Sequence, residues 1–279
     1  MLKTRVITAL ALFLAFLVAL IYFPPLGWLM FATGVMAVAA WEWGALIQLP
    51  ESGRLVLALL MGMLCAALGW LAPAAVGLAG ETTPQAAWLL GRWFYWPAAL
   101  FWGLCVPLWL WRRWRLPGRL AGVLIGLMLL LPAWLALIQL RQAGPYALLA
   151  IMMIVWLADT GAYFAGRRWG RHKLAPNISP GKTWEGAIGG AVAVIVYGFG
   201  LSLLYPEMLG MSSWRLLLVL VVITVVSVMG DLLESLLKRQ AGLKDSSNIL
   251  PGHGGVLDRI DSLTSTLPIV ALFWSLAVD

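Results

Sequence analysis

The sequence has little charge for its length. Of its 279 residues only 11% are Asp, Glu, Lys or Arg, whereas 62% are apolar. A typical soluble domain has about 25% charged and about 45–50% apolar residues. So few charges cannot keep the surface of a chain of this size in water, which excludes soluble enzymes and disordered tails. The apolar stretches are continuous rather than alternating, which also excludes an outer-membrane barrel.

Cysteine is equally scarce. Cys65 and Cys105 lie in apolar stretches without metal-ligand spacing, so we expect neither a disulfide framework nor a zinc site. The N-terminal apolar run is too long for the core of a cleaved signal peptide, and no small-x-small cleavage site follows it. We therefore expect an uncleaved first helix.

Long apolar segments make up most of what the sequence does contain. They predict an all-α, polytopic integral membrane protein with about nine transmembrane helices. We divide it into N-terminal helices, residues 1–140, whose role the sequence leaves open, and a C-terminal region, residues 141–279, with polar loops 166–185 and 238–262. The nine predicted helices are 6–23, 26–49, 55–79, 86–111, 119–140, 145–165, 186–205, 214–237 and 263–278.

The basic residues predict the orientation of these helices. With the N-terminus in the cytoplasm, 16 of the 19 Lys and Arg residues fall in segments on the cytoplasmic side. Arg92, Arg141 and Arg215 are the exceptions. Since basic residues of short loops favour the cytoplasmic face, this split supports an odd number of spans and a C-terminus outside.

Four carboxylates lie in or near predicted spans, where a charge is costly and usually has a partner and a task. For Glu42 the sequence favours two alternatives equally: an interfacial residue whose side chain reaches the headgroups, or a site residue. Asp159 fits either a packed, hydrogen-bonded aspartate or a site residue, and we favour the site. Asp231 and Glu234 share one helical face with Ser235 and Lys238, because these positions are spaced i, i+3, i+4 and i+7.

Loop 238–262 follows that polar face and is dense in charge and glycine. Its Pro-Gly-His-Gly-Gly segment can expose backbone N–H groups to an anion. Asp258 and Asp261 are three residues apart, so both share a face if the ninth helix is already formed there. Clustered carboxylates suit a hard cation such as Mg²⁺, and nearby Lys and Arg suit phosphate oxygens. We favour phosphate chemistry over the alternative, an ion-pair seam between helices.

Loop 166–185 contains Gly181-Lys182-Thr183, which resembles the end of a Walker A loop. We reject a P-loop because Pro176 stands where the motif needs glycine and because no strand is expected before it. Attraction of a basic loop to anionic lipid would explain the charges. It does not explain the proline, glycine and glutamate of the run Ser179–Glu185.

These segments resemble the integral-membrane phosphatidate cytidylyltransferases, or CDP-diglyceride synthases. That family's signature is matched without departure over 27 residues, from Ser235 through Lys238, Arg239, Lys244, Asp245, Ser247, Leu250, Pro251, His253, Gly254, Gly255, Asp258 and Arg259 to Asp261. The run Asp159–Tyr163 and the segment SPGKTWEG are also similar, so the resemblance covers residues 155–262. The first 140 residues match only as apolar helices.

The resemblance implies transfer of CMP from CTP to phosphatidate, giving CDP-diacylglycerol and pyrophosphate, with Mg²⁺ required and a second cation left open. It implies metal ligation by Asp231, Asp258 and Asp261. Catalytic residues are then expected to be Asp231, Lys238, Arg239, Lys244, Asp245, His253, Asp258, Arg259 and Asp261. Substrate-binding residues are expected to be Asp159, Ser179, Gly181, Lys182, Thr183, Glu185, Ser235, Gly254 and Gly255.

Two other functions are alternatives to this reaction. A CTP-dependent kinase of a membrane lipid or polyprenol would need a base to activate a hydroxyl, and a cation-coupled transporter would carry its charges near the bilayer midplane. We expect the protein in a bacterial inner membrane, with the active site facing the cytoplasm. The expected partners are CTP, phosphatidate and membrane lipids; no nucleic acid is expected, and a homodimer is left open.

Overall fold

The computed structural model describes residues 2–79, 84–205 and 212–277. Its long helices confirm the all-α class. The helices are α1 (Leu2–Tyr22), α2 (Pro25–Leu46), α3 (Glu51–Leu71), α4 (84–112), α5 (Arg119–Gln142), α6 (Pro145–Trp169), α7 (Trp184–Leu204), α8 (Ser213–Ala241) and α9 (Leu257–Ala277). Within the described residues, the eight helices from α2 to α9 are long and apolar enough to span a membrane, and α1 has a shorter apolar stretch, Ile7–Tyr22.

Helix α4 contains a π-helical turn just before Pro107. It consists of the α-helix Pro84–Leu100, the π-helical turn Phe101–Cys105 and the α-helix Val106–Arg112. Pro107 has no N–H to donate to the preceding turn, and the wider π turn lets the N–H of Val106 reach the carbonyl of Phe101.

The loop between α6 and α7 differs from its prediction. Two short antiparallel strands, β1 (Lys173–Ala175) and β2 (Ser179–Thr183), form a hairpin there, with Lys173 opposite Thr183 and Ala175 opposite Ser179. The expectation that no strand precedes Gly181 was therefore wrong. The rejection of a P-loop does not depend on it, since Pro176 still replaces the required glycine.

Small residues bring α6 and α7 close together. An added Cβ on Gly189 would lie 2.2 Å from the Cβ of Ala165, and one on Gly190 would lie 2.6 Å from the carbonyl oxygen of Ala158. Glycine and alanine at such an interface allow close helix packing without a hydrophobic driving force. The packing holds Asp159 on α6 near the hairpin that leads into α7.

Contacts between loops and helix ends place one group of connections on the same face of the bundle. Gln240, at the end of α8, donates to the carbonyl of Trp114 after α4 (2.9 Å), and Lys182 of β2 pairs with Asp231 of α8 (2.6 Å). Glu42, near the end of α2, accepts from the N–H of Leu257 at the start of α9. These are the connections that the basic residues assigned to one side.

Two of the three exceptional arginines lie at the opposite face and bind helix ends. The Nε of Arg141 donates to the carbonyl of Leu20 in α1 (2.9 Å), and its Nη2 donates to Phe23. Arg92 donates to the carbonyl of Ser275 in α9. A guanidinium suits the unsatisfied carbonyls and partial negative charge of a helix C-terminus, which gives these arginines a structural reason to lie there.

Candidate active site

The site is built on α8 and α9, which approach closely where their polar residues begin. An added Cβ on Gly230 would lie 2.5 Å from the Oγ of Ser265. On α9, Ser262 donates to the carbonyl of Ser227 (3.2 Å) and Ser265 to that of Val226 (2.9 Å). The ninth helix begins at Leu257, six residues before its predicted start, so Asp258 and Asp261 do lie in its first turns.

One polar cluster surrounds Lys182, and we call it the Lys182 cluster. The ammonium of Lys182 lies 2.6 Å from an oxygen of Asp231, whose other oxygen accepts from Ser235 (3.1 Å). Asp159 and Asp261 interact electrostatically with Asp231 and with Lys182. Three helices and the β-hairpin therefore bring three carboxylates around one ammonium.

A second cluster, the Lys238 cluster, lies one to two turns further along α8. The ammonium of Lys238 contacts Glu234 at 2.7 Å and Asp258 at 2.6 Å. The side chains of Glu234 and Asp258 are each 5% exposed, so this triad lies in a poorly hydrated environment. Charged hydrogen bonds of this kind are strong, and losing one partner is costly. The contacts Asp231–Ser235 and Glu234–Lys238 agree with the predicted polar face of α8.

Asp258 also organises the loop between α8 and α9, residues 242–256. Its Oδ2 accepts from the N–H of Ser246 (2.9 Å), the hydroxyl of Ser246 (3.0 Å) and the N–H of Gly255 (2.8 Å). Gly254 has a φ of +79°, and a Cβ there would lie 2.7 Å from the same oxygen. The two glycines are thus required for the loop to wrap around this carboxylate.

Other predicted site residues have local structural contacts. Thr183 caps α7 by accepting from the N–H of Gly186 (3.1 Å). Glu185 accepts from the backbone N–H of His172 (3.2 Å) and contacts its Nδ1 (2.6 Å), which closes the β-hairpin. The guanidinium of Arg259 donates to the carbonyl of His253 at 3.0 and 2.6 Å and braces the turn.

A further set faces solvent beside the two clusters. Arg239, Lys244 and Asp245 are exposed, and no described residue shares a side-chain hydrogen bond or ion pair with them. Ser179 and Gly181 lie on strand β2, and no atom lies within 4 Å of a Cβ added at Gly181. These groups are available to a ligand, but the structure does not join them to either cluster.

The sequence left Glu42 undecided, and the structure places it in the site. It is fully buried and accepts hydrogen bonds from the α8–α9 loop and from the start of α9. The interfacial alternative is therefore wrong. Ser246, which contacts both Glu42 and Asp258, did not figure among the predicted site residues.

The fit of a metal differs among the predicted ligands. Asp231 and Asp261 belong to an oxygen-rich cluster, and the neighbouring Oε1 of Glu234 is buried without a hydrogen-bond partner, an acceptor that a hard cation would satisfy. Both oxygens of Asp258 are instead filled by Lys238, Ser246 and Gly255. Among the described residues, no three Asp, Glu, His or Cys side chains form a ready metal cage. Two carboxylates such as Asp231 and Asp261 suit a Mg²⁺ ion that substrate phosphates also bind.

Comparisons with known proteins show the family of the chain. The model of the cytidylyltransferase family matches residues 3–277. A phosphatidate cytidylyltransferase of Pseudomonas aeruginosa is 42% identical over 99% of this chain and 98% of its own length, and one of Haemophilus influenzae is 36% identical over 98% and 99%. One of Staphylococcus aureus is 46% identical over 47% of this chain and 50% of its own length. The chain belongs to the cytidylyltransferase family.

Proposed function

We propose that the chain transfers CMP from CTP to phosphatidate, giving CDP-diacylglycerol and pyrophosphate. The observation that carries the proposal is the pair of lysine-centred clusters at one face of a membrane bundle, formed by the segments that resemble the phosphatidate cytidylyltransferases. The full-length relatives named for this activity support the same reaction.

The chemistry needs little covalent help from the protein. A phosphate oxygen of phosphatidate attacks the α-phosphorus of CTP, and the bond from that phosphorus to the pyrophosphate oxygen breaks. The nucleophile is already an anion at neutral pH, so catalysis consists of positioning two polyanions and compensating their charge. The exposed Arg239 and Lys244 supply positive charge for this purpose. Lys182 and Lys238 are held in place by carboxylates and are proposed to contact phosphate oxygens beside them.

Mg²⁺ is proposed as the cofactor, with Asp231 and Asp261 as ligands. Ligation by Asp258 stays a prediction from the sequence, because both of its oxygens already accept hydrogen bonds within the protein. When bound, the cation neutralises phosphate charge and so supports departure of pyrophosphate. A groove between helices is proposed to admit phosphatidate from the adjoining leaflet while CTP enters from water. No general base is required of His253, whose contacts lie within its own turn.

The experiment is direct. Purified protein in detergent with CTP, phosphatidate and Mg²⁺ should release pyrophosphate and form CDP-diacylglycerol, and chelation of the metal should stop both. A protein that forms no liponucleotide under these conditions contradicts the proposal. With a polyprenol or another lipid alcohol in place of phosphatidate, release of CDP and phosphorylation of that alcohol would indicate the kinase instead. The transporter loses support because Lys182 lies in the hairpin before α7 and Asp258 in the first turn of α9, at the ends of the spans rather than at their middle.

We propose further that this face is cytoplasmic and that the membrane is a bacterial inner membrane. The clustering of basic residues on this face supports the orientation. An impermeant maleimide should label Lys244→Cys, in a chain without Cys65 and Cys105, in inverted but not in right-side-out vesicles. Association into a homodimer stays a prediction that light scattering of the detergent complex would test.

A further inference from the structure

The carboxylate of Glu42 lies within hydrogen-bond distance of four donors from the α8–α9 loop and the start of α9. Its Oε1 accepts from the hydroxyl of Ser247 (2.6 Å) and the N–H of Val256 (2.9 Å). Its Oε2 accepts from the N–H of Leu257 (2.5 Å) and shares the single hydroxyl hydrogen of Ser246 (3.2 Å) with Oδ2 of Asp258 (3.0 Å). The side chain is 0% exposed, so water cannot replace any of these donors.

The four donors come from the two ends of the loop. Ser246 and Ser247 lie directly after Lys244 and Asp245, whereas Val256 and Leu257 lie directly before Asp258. Asp258 also joins the two parts of the loop, because it accepts hydrogen bonds from Ser246 and from Gly255. The hydroxyl of Ser246 lies between the carboxylates of Glu42 and Asp258. Glu42 also satisfies N–H groups at the start of α9, which otherwise have no helical partner.

Helix α2 holds this carboxylate on a rigid support. The indole N–H of Trp43 donates to the carbonyl of Gly122 in α5 (2.8 Å). The guanidinium of Arg54 lies 3.6 Å from the ring centroid of Trp41 and donates to its carbonyl (3.3 Å). Both neighbours of Glu42 are thus fixed by other helices, which is the arrangement that preorganises a site.

We infer that Glu42 is a positioning residue for the proposed reaction. Both of its oxygens are taken by the α8–α9 loop and the start of α9, so it acts through the loop by fixing where Asp258 and the exposed Lys244 stand. The N-terminal helices, whose role the sequence left open, thereby form part of the working site. This inference rests on the proposed function and adds to it a residue outside the family signature.

Glu42→Gln is the sharpest test, because it keeps the shape and changes one acceptor oxygen into a donor. Whichever way the amide turns, its NH₂ meets a backbone N–H of Val256 or Leu257. We expect kcat to fall about 30- to 100-fold with a change in KM for CTP below about threefold, as for loss of positioning rather than of ground-state binding. Amide exchange at Val256 and Leu257 should accelerate about tenfold or more.

The matched control is Glu51→Gln, the same change on α3, where the glutamate side chain is 81% exposed and pairs with Arg54. It should leave kcat and loop exchange as in the wild type. Ser247→Ala removes one hydrogen bond and leaves Glu42 in place; it should show the same pattern more weakly, about three- to fivefold in kcat. This variant keeps the test decisive if Glu42→Gln does not fold.

Two results would overturn the inference while the wild-type protein remains active. One is a kcat within about twofold of wild type for both variants. The other is a lower melting temperature with no local change in exchange, which indicates a purely structural role. A wild-type protein without cytidylyl transfer contradicts the proposed function instead, so the two failures are distinguishable.

Discussion

Asp258→Asn separates two roles that one aspartate could have, a metal ligand and an anchor of the α8–α9 loop. The carboxylate binds Lys238 through Oδ1 (2.6 Å) and three donors from Ser246 and Gly255 through Oδ2. An asparagine has one acceptor oxygen. Its NH₂ would face either the ammonium of Lys238 or the backbone N–H groups, and both arrangements leave donors without acceptors.

The size of the effect follows from those contacts. A hydrogen bond to a charged group contributes about 1.5–3 kcal/mol, and breaking a buried ion pair costs about 3–5 kcal/mol. The side chain of Asp258 is 5% exposed, so water screens little of this. A local loss of about 3–4 kcal/mol corresponds to a fall of about 100- to 1,000-fold in kcat/KM if the loop must be closed for reaction. Membrane insertion should be unchanged, because the helices keep their apolar faces.

The assay combines turnover with amide exchange. Pyrophosphate release gives kcat/KM across a range of Mg²⁺ concentrations, and exchange without metal reports the order of residues 246–256. An anchor loses protection in that loop even without metal. A residue that serves only as a ligand keeps the protection and shifts the Mg²⁺ dependence. Activity within threefold of wild type together with unchanged protection would refute both roles.

Two further substitutions test neighbouring parts of the site. Gly255→Ala should abolish most activity, because the new Cβ would lie 2.0 Å from the Oγ of Ser246 and 2.5 Å from Oε1 of Glu42. The control is Gly62→Ala on α3, where no atom lies within 4 Å of the new Cβ and activity should be unchanged. Equal activities of the two variants would contradict the packing argument. Lys182→Met removes the ion pair with Asp231 and should lower kcat/KM for CTP on the order of 100-fold. Lys173→Met on the paired strand is the matched control for it, and similar losses in both would reduce the role of Lys182 to general surface charge.

Much of the fold was readable from sequence because the bilayer imposes a simple rule. Each of the nine predicted segments contains a helix, since continuous apolar runs leave the backbone no other way to satisfy its polar groups. The predicted end of the third helix at residue 79 was wrong: α3 ends at Leu71, and the apolar residues after it form turns. Two other predicted helix boundaries were wrong because the helix continues through polar residues beyond its apolar run. Helix α9 starts at Leu257 rather than 263, and α8 continues to Ala241, because Asp258 and Lys238 lower the apolar signal without ending the helix.

The site was predicted as a set of residues rather than as an arrangement. The i, i+4 contacts of α8 follow from helix periodicity, which a sequence displays directly. The pairing of Lys182 with Asp231 and the four donors to Glu42 join residues far apart in the chain, and no local pattern encodes them. One signal was present for Glu42: a carboxylate one turn before the end of an apolar helix, between two tryptophans, needs partners.

The reach of Glu42 along the chain also has a consequence for biosynthesis. Its four donors are 204 to 215 residues downstream, so α2 is synthesised long before the segment that satisfies its carboxylate. The loop acquires its closed form only when α9 joins the bundle. A chain that stops before Ser246 therefore has none of these four donors, and its Glu42 lacks the partners that hold this carboxylate in the finished protein.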